Sequence, residues 1–134
     1  MTSDYTHSRC GVYKCCYHIV FATKYRRKVL TASVEQALKF IFDEIARDND
    51  FKIEACEVGN CDHVHVFVSA KPKVIPSSIL KQLKGISARR LHIQLPEVRC
   101  KVSAKHFWSP SYFLSTVGHV SEETIRHYIE NQGK

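Results

Sequence analysis

The sequence predicts an α+β domain of ferredoxin-like order, β-α-β-β-α-β, followed by one further helix. Three observations predict it. Short segments rich in β-branched and aromatic residues alternate with turn signals. Two longer segments repeat apolar residues at helical spacing. The order in which they occur is that of a split βαβ unit, whose sheet is mostly antiparallel.

The elements follow in turn. Tyr13 to Thr23 reads as the first strand, and the basic residues Lys24, Arg26, Arg27 and Lys28 follow it at once. A helix is predicted from Ser33 to Asp48, because Val34, Ala37, Leu38, Ile41, Phe42 and Ile45 recur on one face. Ser33 with Gln36 resembles a capping box at its start. Phe51 to Val58 reads as the second strand, and Gly59, Asn60, Cys61 and Asp62 form a hairpin turn into a third, His63 to Ala70. Pro72 and Pro76 end that strand, and a second helix runs from Ser77 to Gln94 until Pro96 stops it. Tyr112 to Val117 reads as the fourth strand, punctuated by Gly118. Ser121 caps a last helix running to Gln132.

The chain has 134 residues, which suits one domain with one core. No repeat, low-complexity tract or linker marks a boundary. No apolar run approaches the roughly 20 residues of a membrane span, and the polar N-terminus lacks a signal-peptide core. A cytoplasmic protein is expected. The formal charge of +7 suits a polyanionic partner. The six cysteines (Cys10, Cys15, Cys16, Cys56, Cys61 and Cys100) include no C-x2-C pair and read as free thiols.

Residues two apart on a strand share a face. His63, His65 and Phe67 therefore face one way, and Val64, Val66, Val68 and Ala70 face the core. Two imidazoles on one face form a bidentate metal platform. Alone, the pair reads more readily as packed or solvated; a third ligand and a reacting group reverse that balance. Both candidates lie in the last helix, where Tyr128 and Gln132 are four apart and stack on one face. A tyrosine attacks phosphorus poorly unless the phosphate is polarised. A divalent ion held by His63, His65 and the Gln132 amide oxygen meets that need. The second helix adds Lys81, Lys84, Gly85, Ala88 and His92 along one stripe, with Arg89 beside it and Leu80, Leu83, Ser87, Leu91 and Leu95 on another. A basic face of this kind suits phosphates, as it suits plain solvation.

Together these residues resemble the single-tyrosine HUH transposases of the smallest bacterial and archaeal insertion sequences. The resemblance spans nearly the whole chain. It rests on Tyr17 to Phe21 with the basic turn Lys24 to Leu30, on Asp62-His63-Val64-His65, and on Leu83 to Leu91. It continues through Trp108 to Phe113, Ser115 to Gly118 and Tyr128 to Gln132.

It implies Tyr128 as the catalytic nucleophile and His63, His65 and Gln132 as ligands of Mg2+ or Mn2+. Two imidazoles suit Mn2+ better than the oxygen-loving Mg2+. It implies DNA binding by Lys24, Arg26, Arg27, Lys81, Lys84, Arg89 and Arg90. It further implies a single domain over 1–134, with a body at 13–118 and a mobile helix at 119–134 hinged at Gly118. Single-stranded DNA with hairpins at the element's ends is the implied substrate. The implied assembly is a homodimer in which one subunit's tyrosine helix completes the other's histidine site. Two other readings use the same residues: a relative with this chemistry and another job, such as a replication initiator, and a non-catalytic nucleic-acid-binding module on a ferredoxin-like sheet.

Overall fold

The computed structural model describes residues 6–8, 11–13 and 15–117. In chain order these form β1 (Thr6–Ser8), β2 (Gly11–Tyr13), β3 (Cys15–Thr23), α1 (Ala32–Asp48), β4 (Phe51–Gly59), β5 (His63–Ala70), α2 (Pro76–Gln94), the short α3 (Pro96–Arg99) and β6 (Trp108–Val117). β1 and β2 pair only with each other among the described residues. The other four strands make one antiparallel sheet in the order β4-β5-β3-β6. Leaving aside the β1–β2 pair, this is the ferredoxin-like arrangement expected.

The core lies between one sheet face and the two long helices. Tyr17, Ile19 and Phe21 of β3 and Val64, Val66, Val68 and Ala70 of β5 are buried there. α1 contributes Val34, Leu38, Ile41, Phe42 and Ile45, the stripe its spacing predicts; Ala37 sits at the margin, half-buried. Phe21 packs on Phe42 and edge-on against Trp108. Side chains of this size contribute roughly 1.5–3 kcal/mol each when fully buried. Ser87, the one polar member of the α2 stripe, is satisfied by accepting a bond from Trp108 Nε1 at 3.0 Å.

Four local expectations change. The first strand begins at Cys15 rather than Tyr13, because Cys15 pairs with Ala70, the last residue of β5, and Tyr13 joins the β1–β2 pair. The fourth strand begins at Trp108 rather than Tyr112. Pro110 conceals this in the sequence, yet β6 is an edge strand, where a missing N–H is tolerated. α2 starts at Pro76 itself, a favoured first helical position. The expected capping box of α1 does not form: Thr31 is the N-cap, and Ser33 Oγ donates instead to the Glu97 carboxylate at 3.0 Å.

Among the described residues no helix is long and apolar enough to cross a membrane. Cys15, Cys56, Cys61 and Cys100 are free thiols.

Candidate active site

β5 is a central strand, so its second face also lies between neighbours. His63 pairs with Ala22 of β3 and Gly59 of β4, and His65 pairs with Val20 and Glu57. The two imidazoles stand side by side, ring centroids 5.2 Å apart and planes at 72°. The shared face is less open than alternation alone suggests. His65 is only 7% exposed and Phe67 1%. His18 of β3 stacks on His65 at 5.6 Å, and Phe113 of β6 meets His18 edge-on. A cleft of about 360 Å³ remains over the pair, lined by Arg26, His63, His65, Ser111 and Phe113.

The turn before β5 sets the orientation of His63. Asn60 and Cys61 both have positive φ, 55° and 59°, and the Asp62 N–H donates to the Gly59 carbonyl. These are the dihedral signs of a tight hairpin turn. The Thr23 N–H donates to the Asp62 carbonyl, and the Leu30 N–H donates to the Cys61 carbonyl, tying the turn to the end of β3. Asp62 is thereby held with its carboxylate buried. His63 Nδ1 donates to it at 2.8 Å, which leaves Nε2 as the lone-pair nitrogen.

Arg26 and Lys28 lie 3.4 and 3.6 Å from the same carboxylate. Burial pushes the Asp62 carboxyl up. The His63 bond and the two cations outweigh it and hold the group below its ordinary range.

Gly59 shapes the other side. A Cβ there would come within 2.5 Å of His63 Nε2, so only a bare backbone leaves room for this ring. His65 is kept neutral: burial first, then His63 and His18, bring its pKa down to about 4. Burial likewise lowers His18. His65 Nδ1 lies 3.4 Å from His18 Nε2.

Two imidazoles, one fixed by a carboxylate through its other nitrogen, are the donor chemistry that a divalent metal takes. Among the described residues no group of three His, Cys, Asp or Glu side chains is placed to hold an ion. The third donor expected, Gln132, lies outside the described residues, as do Tyr128 and the hinge Gly118. The donor set present thus fits a metal as part of a larger set. His18, Gly59 and the orienting role of Asp62 were not singled out from sequence. The alternation of β3, which turns His18 away from the core-facing Tyr17, Ile19 and Phe21, was the available signal for His18.

The basic residues divide into two groups. Lys24, Arg26 and Arg27 occupy the turn after β3, and of these Arg26 lines the cleft. Tyr25 and Arg26 have φ of 59° and 52°, a left-handed geometry that costs on the order of 1 kcal/mol per non-glycine residue. Lys81 and Arg89 are exposed on α2 and line a groove with Gly85 and Lys105. Lys84 is half-buried, and its Nζ donates to the Ser109 carbonyl at 2.6 Å. Arg90 pairs with Glu44 of α1 at 2.7 Å.

Residues 11–132 match the family model described as Transposase IS200 like. The chain is 38% identical over 121 residues to the ISDra2 transposase TnpA of Deinococcus radiodurans, covering 90% of this chain and 86% of that one. It is 32% identical over 120 residues to the transposase for insertion sequence element IS200 of Salmonella typhimurium, covering 90% of this chain and 78% of the relative. Among solved structures, a protein assigned as a transposase from Deinococcus radiodurans R1 superposes with a TM-score of 0.75 at 38% identity, over 95% of this chain and 97% of that one. A REP-associated tyrosine transposase bound to a REP hairpin superposes with a TM-score of 0.62 at 19% identity, over 93% of this chain and 68% of that one, a likeness of fold.

Proposed function

The chain belongs to the IS200-like transposase family, and on that premise we propose that it cuts and rejoins single-stranded DNA at insertion-sequence ends through a 5′-phosphotyrosine on Tyr128. The observation that carries this reading is the His63–His65 pair, with His63 fixed by buried Asp62, under an open cleft bordered by Arg26.

The chemistry follows from the groups present. The Tyr128 oxygen attacks the scissile phosphorus and the phenol gives up its proton. The bond to the 3′ oxygen breaks, and that oxygen takes a proton to become a free hydroxyl. The 5′ phosphate remains on tyrosine as a diester, which conserves the bond for attack by a later 3′ hydroxyl, so no ATP is consumed. His63, His65 and Gln132 would hold Mg2+ or Mn2+, which when bound supplies charge to the scissile phosphate and the leaving oxygen. Asp62 keeps the His63 lone pair on Nε2. Lys24, Arg26 and Arg27 position phosphates of the strand entering the cleft, and Lys81 and Arg89 grip a backbone along α2, with Lys84 and Arg90 shaping that helix face. The REP-associated relative is bound to a hairpin, which supports a hairpin as the form of DNA held here.

A homodimer with shared sites completes the proposal. β6 is an edge strand whose outer side pairs with no described strand, and it exposes Tyr112 and Phe113, each 55% accessible. Self-pairing of that edge would satisfy its outward N–H and C=O groups. The tyrosine helix of one subunit then reaches the histidine pair of its partner across Gly118.

A nicking assay on a hairpin-bearing single strand tests the reading. Cleavage in Mn2+ or Mg2+, lost on chelation and in His63→Ala and His65→Ala, is the expected result. Equal single-strand binding with and without metal, and no cleavage in any metal, would replace it with a binding module.

A further inference from the structure

We propose that the turn after β3 carries a separate subsite for one unpaired nucleotide, its base stacked on Tyr25 and its phosphate in the adjoining basic cleft. The inference rests on the reading above that the substrate is single-stranded DNA.

The ring of Tyr25 is 75% exposed although aromatic rings ordinarily seek cover. Its position is imposed rather than loose. Tyr25 and Arg26 both occupy left-handed backbone. The turn that contains them is bolted at both ends. The Thr23 N–H donates to the Asp62 carbonyl and the Lys24 N–H to the Phe107 carbonyl, while Thr23 Oγ1 donates to the Arg27 carbonyl at 2.7 Å. Arg27 Nη1 reaches across to the Lys101 carbonyl at 3.1 Å. Unfavourable backbone kept by this many bonds, presenting an exposed aromatic residue, is a pattern associated with ligand contact.

The ring's surroundings specify the ligand. Lys24 Nζ lies 5.3 Å and Arg27 Cζ 5.4 Å from its centroid. Beside it opens a cleft of about 370 Å³ lined by Tyr25, Arg27, Arg99, Lys101 and His106, with no Asp or Glu in its wall. Arg99 is fixed by donating to the His92 and Ile93 carbonyls at the end of α2. An exposed π-face ringed by cations matches a planar base joined to a phosphate, the combination used for unpaired strands. A bare anion would have no use for the ring, and a duplex would offer no free base face.

The subsite adjoins the candidate active site along the chain. Arg26, next in sequence to Tyr25, contacts Asp62, which holds His63. A strand held at both places would have its course fixed by stacking on Tyr25.

The test uses the full chain and a 15-nucleotide oligothymidylate carrying one 2-aminopurine, titrated by fluorescence. Wild-type protein is expected to bind it and change the 2-aminopurine emission. Tyr25→Ala should weaken binding by roughly 5- to 150-fold, the range seen for loss of one stacked base, and abolish the emission change. Tyr25→Phe, which keeps the ring, should restore both, and this separates stacking from folding. Lys101→Gln should weaken binding and reduce its salt dependence while leaving the emission change at saturation. If Tyr25→Ala binds and reports like wild type, the subsite is wrong and the proposed function is untouched. If wild type does not bind this oligonucleotide, the subsite is wrong, whereas the proposed function falls only if a hairpin-bearing strand is neither bound nor nicked.

Discussion

Asp62 Oδ1 accepts a 2.8 Å hydrogen bond from His63 Nδ1, and that one contact joins the basic turn to the histidine pair. The carboxylate is buried at the hairpin tip, and Arg26 and Lys28 close on its outer side. Asp62 therefore decides which nitrogen of His63 carries the lone pair, and where the ring points.

Removing that carboxylate should weaken metal binding. Asp62→Ala is expected to lower Mn2+ affinity about 10- to 100-fold, measured by titration of the unbound ion. Asp62→Asn keeps an acceptor oxygen and should recover part of the loss. Equal affinity in all three proteins would remove Asp62 from the site.

Gly59 should prove a site residue despite standing in a strand. Its Cβ would intrude to 2.5 Å on His63 Nε2. Gly59→Ala is expected to leave the thermal midpoint within a few degrees and to cut nicking by on the order of 10- to 100-fold, because a displaced ligand misplaces the reacting atoms. Unchanged nicking would show that the ring has other room.

The metal-free protein should lose stability as pH falls from about 6.5 to about 4. His65 has a folded pKa of about 4 against an ordinary value of 6.5, set first by burial. Between those values the unfolded chain takes up a proton that the folded one refuses, so acid favours unfolding. The contribution is complete above 6.5 and lost on the way down. Urea midpoints measured across this window should fall, and His65→Phe should flatten the slope. A slope that His65→Phe leaves unchanged contradicts this.

The cations of α2 should separate into two kinds. Lys81→Gln and Arg89→Gln are exposed changes expected to reduce the salt dependence of DNA binding by about one unit of slope each. Lys84→Gln should instead cost stability, roughly 1–3 kcal/mol, because Lys84 ties α2 to β6 through the Ser109 carbonyl. Urea unfolding and binding at several salt concentrations distinguish them.

Much of this was legible in the sequence, for physical reasons. The 3.6 period of α1 and the alternation of β5 carry their own geometry, so the core residues Val64, Val66 and Val68 and the shared face of His63 and His65 follow from spacing alone. What spacing cannot carry is pairing between strands. His18 meets His65 only through the β3–β5 register, and Gly59 meets His63 only through the β4–β5 register. The early start of β6 was hidden by Pro110, which a central strand would exclude and an edge strand accepts. The failed capping box at Ser33 reflects competition, since Glu97 of α3 offers Ser33 Oγ a charged acceptor. Tyr128 and Gln132, read from the last helix, and Gly118, read as the hinge before it, lie outside the described residues.

The nucleophile is the claim on which the rest depends. Incubating the protein with a hairpin-bearing single strand and Mn2+, then digesting it and mapping DNA-linked peptides by mass spectrometry, tests it directly. The account predicts a metal-dependent adduct through a 5′ phosphate on Tyr128, absent in Tyr128→Phe. A covalent adduct of the same yield in Tyr128→Phe, or one mapped to another residue, would contradict it.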